Sequence, residues 1–407
     1  MMMKRILALL LLSAVFCSCM TISASTDLME GILPEQVEKA ASESSDAASM
    51  ADLALTLLGE RELDRENTLI SPLSLFAALG MTANGAAGET LAQMEAVLGM
   101  PADRLNAVMA ALPRDGGKTL HMANGIWFRN IDLTVSPNFL QTNANFYGAA
   151  ARQAIMDDST RREINAFIEK QTDGMIRDML EEGTIDHNTV MCLINALTFE
   201  AEWAKMYEKH QVSADKFTLT DGTSVKAEYM YSDENVYLED ENAVGFVKYY
   251  RDRDYAFVAI LPREGLSLSD YLASLDGESL IAMLENPQSA AVQAALPKFS
   301  YDDTMDMSDA LKNAGMKDAF DDSRADFSRM GQSHRGRIFV RFVLQKTFIS
   351  VAERGTRAGA ATVVSMADKS ASIHQPKQVY LTRPFLYLII DTQTNLPVFM
   401  GTVANPA

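Results

Sequence analysis

The chain has 407 residues, of which 48% are hydrophobic and 22% charged, so it holds enough apolar material for a globular core. Its formal net charge of −18 opposes binding to nucleic acid or to an anionic membrane through charge alone. Of its three cysteines only Cys192 lies beyond the first 20 residues, so the body of the chain has no internal disulfide or zinc framework.

The first residues predict export. A positively charged start and the apolar stretch 6–16 are typical of a secretory signal peptide, assigned to residues 1–18, and the stretch is too short to span a bilayer. The sequence around Cys19 resembles a bacterial lipoprotein cleavage site, which predicts lipidation of Cys19 at the cell surface or outer membrane. Simple secretion is the alternative. Residues 19–47 are rich in Ser, Ala, Glu and Thr, which favours a flexible, solvated tether.

Beyond this tether, residues 48–407 show no repeat and no linker, which predicts a single domain. Ser71 and Pro72 begin a helix, with Ser as the N-cap and Pro in the first turn. The apolar spacing over Arg161–Leu180 predicts an amphipathic helix. The apolar run Val190–Phe199 predicts a strand that is buried on both faces.

The remaining patterns mix helices and strands without a regular βαβ alternation, which favours the α+β class. Further helices are predicted at 51–58, 89–98 and 308–315. Further strands are predicted at 120–128, 225–231, 243–250, 255–261, 291–299, 338–352, 379–381, 385–392 and 398–403.

The sequence contains no pattern that predicts an enzyme, a metal site or a cofactor. Its five histidines are scattered, without the paired spacing of a zinc site. The run 331–335 is not a nucleophile elbow, because Arg335 stands where the last Gly is needed.

The segment Glu353–Lys377 is unusual for a globular chain, because a loop of this length is commonly functional. It is rich in small residues but also contains β-branched ones, which favour a strand. With period-two alternation, one face carries no charge, whereas Arg357 falls on the other face and can remain solvated. The uncharged face comprises Thr356, Ala358, Ala360, Thr362, Val364 and Met366. The segment can therefore be an exposed loop and can also become a strand.

Five motifs in this order resemble those of the serpin family. The first four are Asn67–Ser74, Leu193–Phe199 with Trp203, Leu296–Phe299, and a hinge-like segment formed by Glu353, Arg354, Gly355, Thr356, Arg357, Ala358, Gly359, Ala360, Ala361 and Thr362. The fifth is the carboxyl-terminal pattern Arg383–Phe385, Phe399–Gly401 and Asn405–Pro406.

This resemblance implies a serpin fold with three β-sheets, about nine helices and an exposed reactive-centre loop. It also implies a suicide mechanism, in which a target protease attacks the loop and forms an acyl-enzyme. The cleaved loop then inserts into the main sheet and distorts the protease. The expected partner is thus a serine protease in a covalent complex with a monomeric, non-enzymatic inhibitor. A non-inhibitory serpin that serves as a binding protein is the alternative.

Family spacing from Glu353 places the reactive bond between Lys369 and Ser370. A lysine before the bond suggests trypsin-like targets with an acidic specificity pocket, although Asp368 is unfavourable for many of them. Cleavage at Met366 or near Ile373, and inhibition of elastase-like, subtilisin-like or cysteine proteases, remain alternatives.

The resemblance also implies a sheet-opening region formed by Ser71, Ser74, Asn195, Trp203 and Gln345. The family often has a His where this chain has Gln345. An amide there can still hydrogen-bond to the two serines or to the asparagine, so we expect an altered opening barrier rather than loss of function.

Overall fold

The structure is a computed structural model that describes residues 25–112, 119–356 and 375–407. Nine α-helices and three β-sheets occur within these ranges, which confirms the predicted α+β organisation. The helices are α1 (Ser44–Gly59), α2 (Pro72–Ala83), α3 (Gly88–Leu98), α4 (Ala102–Ala111), α5 (Pro137–Tyr147), α6 (Asp158–Gln171), α7 (Leu268–Ala273), α8 (Gly277–Glu285) and α9 (Ser308–Asn313).

The main sheet has eight strands, and one central strand, Met191–Phe199, is buried on both faces. Its strands are β1 (Ser25–Asp27), β3 (Leu120–Arg129), β5 (Ala150–Ala154), β6 (Met191–Phe199), β7 (Ala201–Glu202), β13 (Phe299–Asp306), β15 (Val343–Ala352) and β16 (Gly355–Thr356). Their order is β1-β5-β3-β6-β15-β16-β7, and β13 pairs with β15.

The second sheet has nine strands in the order β17-β12-β9-β10-β11-β18-β19-β2, and β8 pairs with β9. The strands are β2 (Thr68–Ile70), β8 (Val212–Thr218), β9 (Ser224–Glu239), β10 (Ala243–Tyr249), β11 (Tyr255–Pro262), β12 (Gln288–Pro297), β17 (Lys377–Tyr380), β18 (Phe385–Asp391) and β19 (Pro397–Val403). The third sheet pairs β4 (Leu133–Val135) with β14 (Gly331–Ser333).

Two apolar clusters cover the two faces of the main sheet. The larger cluster fills the space between the main sheet, the second sheet and α2, all of whose residues are buried. The smaller cluster lies under α6, where Ile164 and Ile168 pack with Trp127, and the Trp127 ring meets Phe167 edge-on at 5.2 Å. Helix α6 therefore covers the face of the sheet that is turned away from the main core.

Most predicted elements have different bounds in the structure: the helix predicted at 51–58 begins at Ser44, and the strand predicted at 225–231 extends to Glu239. Three further differences are larger in their consequences. The helix predicted for Arg161–Leu180 begins earlier, at Asp158, and ends at Gln171, because Asp173 and Gly174 adopt positive φ angles that an α-helix does not accommodate. The apolar residues beyond this end, Ile176, Met179 and Leu180, are buried in irregular chain. The predicted strand 338–352 forms only from Val343 onward, and the predicted strand 291–299 divides at Lys298 between the two large sheets.

The described part of the predicted tether is also ordered, in contrast to the expectation of a flexible segment. Strand β1 pairs antiparallel with β5, and the Ser25 hydroxyl donates to Glu163 of α6. Farther along, the Glu35 amide donates to Asn145 Oδ1 at 2.8 Å. Composition indicates solvation, but the edge of a sheet offers unpaired backbone groups that even a polar segment can satisfy.

Candidate functional site: the sheet-opening cluster and the hinge clamp

Strands β6 and β15 lie side by side in the centre of the main sheet. They pair in parallel from Leu193 to Thr198, with Asn195 opposite Gln345. A strand inserted between them has to break this pairing. The amino end of α2 lies against the same point, because Ser71 caps the helix and accepts a hydrogen bond from the Ser74 amide at 3.2 Å.

We call Ser71, Ser74, Asn124, Asn195 and Gln345 the sheet-opening cluster. The Gln345 amide nitrogen donates to the Ser71 carbonyl at 3.0 Å and to Ser74 Oγ at 2.9 Å, and Gln345 Oε1 accepts from the Ser71 amide at 2.8 Å. Ser74 Oγ donates to Asn195 Oδ1, and Asn195 Nδ2 donates to Asn124 Oδ1 at 2.6 Å. The structure thus joins four of the five predicted residues in one buried, uncharged network.

Sequence reasoning missed Asn124, which lies on β3 and extends the network across a third strand. The available signal was a carboxamide inside an apolar strand pattern. Such a residue needs a buried partner, but the pattern does not identify the partner.

Trp203, the fifth predicted residue, lies elsewhere. It contacts Ala352, seven residues beyond Gln345 and therefore roughly 23 Å farther along β15. There it takes part in a second group, the hinge clamp, which we define as Trp203, Tyr207, Tyr250 and Lys298 around the hinge residues 353–356.

The hinge residues Gly355 and Thr356 form strand β16. This strand pairs antiparallel with the end of β15 on one side and with β7 on the other. Thr356 is only 1% exposed, and its hydroxyl lies 2.6 Å from the Tyr250 hydroxyl. Gly355 is required by close approach, because a Cβ at this position would lie 2.0 Å from the carbonyl oxygen of Ala201.

Trp203 and Tyr207 hold the turn that precedes β16. The Trp203 amide donates to the Arg354 carbonyl at 2.8 Å, the Tyr207 amide donates to the Glu353 carbonyl at 2.9 Å, and the Trp203 indole N–H donates to the Ala352 carbonyl at 2.8 Å. The Trp203 ring stacks on Tyr250 with centroids 4.5 Å apart. The turn is therefore fixed through its backbone carbonyls, whatever its side chains.

Ion pairs hold the same turn from the side. Lys298 Nζ lies 2.9 Å from Glu353 Oε1 and 3.0 Å from Glu228 Oε2, and Arg354 Nη2 lies 3.3 Å from Glu202 Oε1. Partial burial acts to raise the pKa of Glu353, but the Lys298 ammonium outweighs it and holds that pKa below its ordinary value. Sequence reasoning identified the motif that contains Lys298 but not this contact.

Several predicted site residues lie outside the described residues: the reactive bond Lys369–Ser370, the hinge from Arg357 to Thr362, and Cys19. Among the side chains that the structure does describe, no group of three or more His, Cys, Asp or Glu residues is arranged to hold a metal ion. None of the described helices is long and apolar enough to cross a membrane.

Comparison with known protein families identifies the family to which this fold belongs. The family model described as serpin (serine protease inhibitor) matches residues 48–406. The chain belongs to the serpin family. Serpins are in general protease inhibitors rather than catalysts, although some are non-inhibitory. Serpin-Z2A of Triticum aestivum is 32% identical over 375 residues, covering 87% of this serpin and 94% of the relative.

Solved serpin structures show the same fold. Tengpin, a thermophilic serpin, in its native state is 43% identical, has a TM-score of 0.87, and is matched over 94% of this chain and 99% of its own. Tengpin in its latent state has a TM-score of 0.78 at 44% identity, with 90% and 99% of the chains covered. The described structure is therefore more similar to the native than to the latent form. The direct pairing of β6 with β15 agrees with this, because no strand lies between them.

Proposed function

We propose that this serpin is a suicide inhibitor of serine proteases that traps the acyl-enzyme by inserting its cleaved reactive loop into the main sheet. The observation that carries the proposal is the position of β16. Its two residues already lie between the ends of β15 and β7. Below them β6 pairs directly with β15, so the strand that β16 begins can continue only if these two strands separate.

The free energy for that step comes from the sheet itself. An inserted strand gains hydrogen bonds on both sides and buries its inward side chains. Thr356 is buried in keeping with the predicted inward face, whose other members lie outside the described residues. The sheet-opening cluster contributes to the opposing barrier, because separating β6 from β15 breaks the hydrogen bond from Gln345 Nε2 to Asn195 Oδ1, and Ser74 of α2 cannot remain bonded to both side chains.

The finer features of the inhibitor are part of the same proposal. The reactive bond is Lys369–Ser370, which selects trypsin-like proteases with an acidic pocket. The protein acts as a monomer and is exported, with Cys19 as the site of a lipid anchor. The family assignment and the lipoprotein-like sequence before Cys19 support these statements.

The decisive experiment incubates the protein with trypsin, elastase and subtilisin and looks for complexes that survive SDS. We expect such a complex with trypsin. Mass spectrometry should show that the released peptide begins at Ser370. Clean cleavage without a stable complex from any protease would favour the non-inhibitory alternative. A complex with elastase or subtilisin alone would move the reactive bond away from Lys369.

A hinge variant tests loop insertion directly, and an exposed position of the second sheet provides its matched control. Thr356→Arg places a charge where the structure buries a hydroxyl, so insertion should fail and the protein should be cleaved as a substrate. Thr218→Arg makes the same substitution at an exposed position of β8 and should leave complex formation intact. Equal complex formation by the two variants would contradict loop insertion at β16.

A further inference from the structure

A buried cation lies behind the hinge clamp. Lys248, on β10, is 2% exposed and is the only lysine or arginine among the described residues whose burial is nearly complete. An ammonium group in such a place is costly unless a counter-charge and further polar contacts compensate it. The proposed insertion mechanism does not by itself require a charge here.

The partners of Lys248 come from two directions. Its Nζ lies 2.8 Å from Glu234 Oε1 of β9, an oxygen that also accepts from Ser232 Oγ at 2.7 Å. On the other side, Nζ lies over the rings of Tyr207 and Trp203, at 4.3 and 5.5 Å from their centroids. Burial acts to lower the pKa of Lys248, but Tyr207 and Glu234 outweigh it and the pKa lies above its ordinary value. The side chain is therefore a cation at neutral pH.

The two rings that face this cation belong to the residues that hold the hinge. The Trp203 and Tyr207 amides bind the Arg354 and Glu353 carbonyls, and Trp203 also stacks on Tyr250, the partner of Thr356. Lys248 touches none of the described hinge residues in these contacts. Lys248 therefore acts on the hinge residues indirectly. Its ammonium attracts the rings of Trp203 and Tyr207 by cation–π interaction and so fixes the segment 203–207 from the side of the second sheet.

We propose that Lys248 is a positioning residue for loop insertion: neutralised by Glu234, it holds Trp203 and Tyr207 so that their amides capture the hinge turn where the new strand enters the main sheet. This inference rests on the proposed inhibitory function. Insertion competes with hydrolysis of the acyl-enzyme, so a loosely held entry point lengthens the time in which the protease can escape. The expected consequence is a larger number of inhibitor molecules consumed for each protease trapped.

The test compares Lys248→Met with Lys248→Arg and with Lys216→Met, the same substitution at an exposed position of β8. We expect Lys248→Met to raise the stoichiometry of inhibition several-fold against the protease that wild type traps. Lys248→Arg should raise the stoichiometry much less than Lys248→Met, because it retains the cation. Lys216→Met should behave as wild type. Glu234→Gln is a second variant that weakens the same contact, in case Lys248→Met folds poorly.

Two further measurements separate positioning from lost stability. In a Trp127→Phe background Trp203 is the remaining tryptophan, so Lys248→Met should shift its emission while Lys216→Met should not. Leu280→Ala in α8 removes a buried side chain away from the clamp; it should lower the unfolding midpoint with wild-type stoichiometry. An unchanged stoichiometry in folded Lys248→Met would overturn this inference alone, whereas a wild type that traps no protease would overturn the proposed function.

Discussion

The Gln345 side chain connects several secondary-structure elements of this fold. Both ends of its amide are engaged, and the network that it completes connects α2 with three strands of the main sheet. The whole network is neutral, so none of its members gains or loses a proton between pH 5 and pH 8. The barrier that it sets should therefore not depend on pH in that range, unlike a barrier set by a histidine at this position.

Gly355 gives a prediction at the same scale. A methyl group at this position meets the Ala201 backbone, so Gly355→Ala should prevent β16 from docking against β7. We expect a loss of about 1–3 kcal/mol in the free energy of unfolding, as is usual for overpacking, together with a higher stoichiometry of inhibition. Urea unfolding and titration against protease measure the two effects. Gly59→Ala adds the same methyl group in open space at the end of α1, where it should raise rather than lower the free energy of unfolding and leave the stoichiometry unchanged. A loss of stability equal to that of Gly355→Ala would contradict the docking argument.

The Glu353–Lys298 pair predicts an effect of acid. The pKa of Glu353 in the folded protein lies below its ordinary value of 4.5, so the stabilisation by this pair is present above pH 4.5. It is lost as the pH falls through the folded value. In the Trp127→Phe background, the fluorescence of Trp203, which binds the same turn, should therefore show a step as the pH falls through the pKa of Glu353. Lys298→Met should remove that step. A step that persists in Lys298→Met would assign it to another group.

At the scale of the element, Arg152 joins the side chains of β1 to α6. This side chain lies 3.1 Å from Glu163 of α6 and 3.7 Å from Asp27 of β1, and its Nη1 donates to Ser25 Oγ at 3.3 Å. Arg152→Ala should accelerate amide hydrogen exchange in residues 25–28, while exchange in β6 stays slow. Arg162→Ala, which alters an exposed arginine of α6, is the control. Slow exchange at 25–28 in Arg152→Ala would show that backbone pairing with β5 is sufficient.

Elements that depend on local chemistry were predictable from the sequence. The start of α2 follows from the capping hydroxyl of Ser71 and the fixed φ of Pro72, and β6 follows from an unbroken apolar run. The contacts of Asn124 and Tyr250 were not predictable, because each depends on a partner far away in the chain. The contacts of Lys248 with Glu234 and Tyr207 were not predictable either, because they depend on how the strands pair and pack. Strand β1 was missed for the same reason, since its partner β5 lies more than 100 residues away.

At the scale of the whole molecule, the proposal predicts that cleavage stabilises the protein. A protease that cuts at Lys369 without being trapped should release the loop, which then extends β16 into the main sheet. We expect a large rise in the unfolding midpoint by calorimetry, because a complete strand is added to the sheet. Cleaved Thr356→Arg should lack most of this rise. An equal midpoint for the cut and intact wild type would contradict insertion.

The position of β1 also bears on how far the inhibitor can reach. Residue 25 is six residues beyond Cys19 and is already paired in the main sheet. Six residues of extended chain span roughly 20 Å, whereas a free tether to α1 would span about four times that distance. If Cys19 carries the lipid anchor proposed above, β1 would lie within this distance of the membrane surface, and the inhibitor would act on proteases at the cell surface rather than in the surrounding medium.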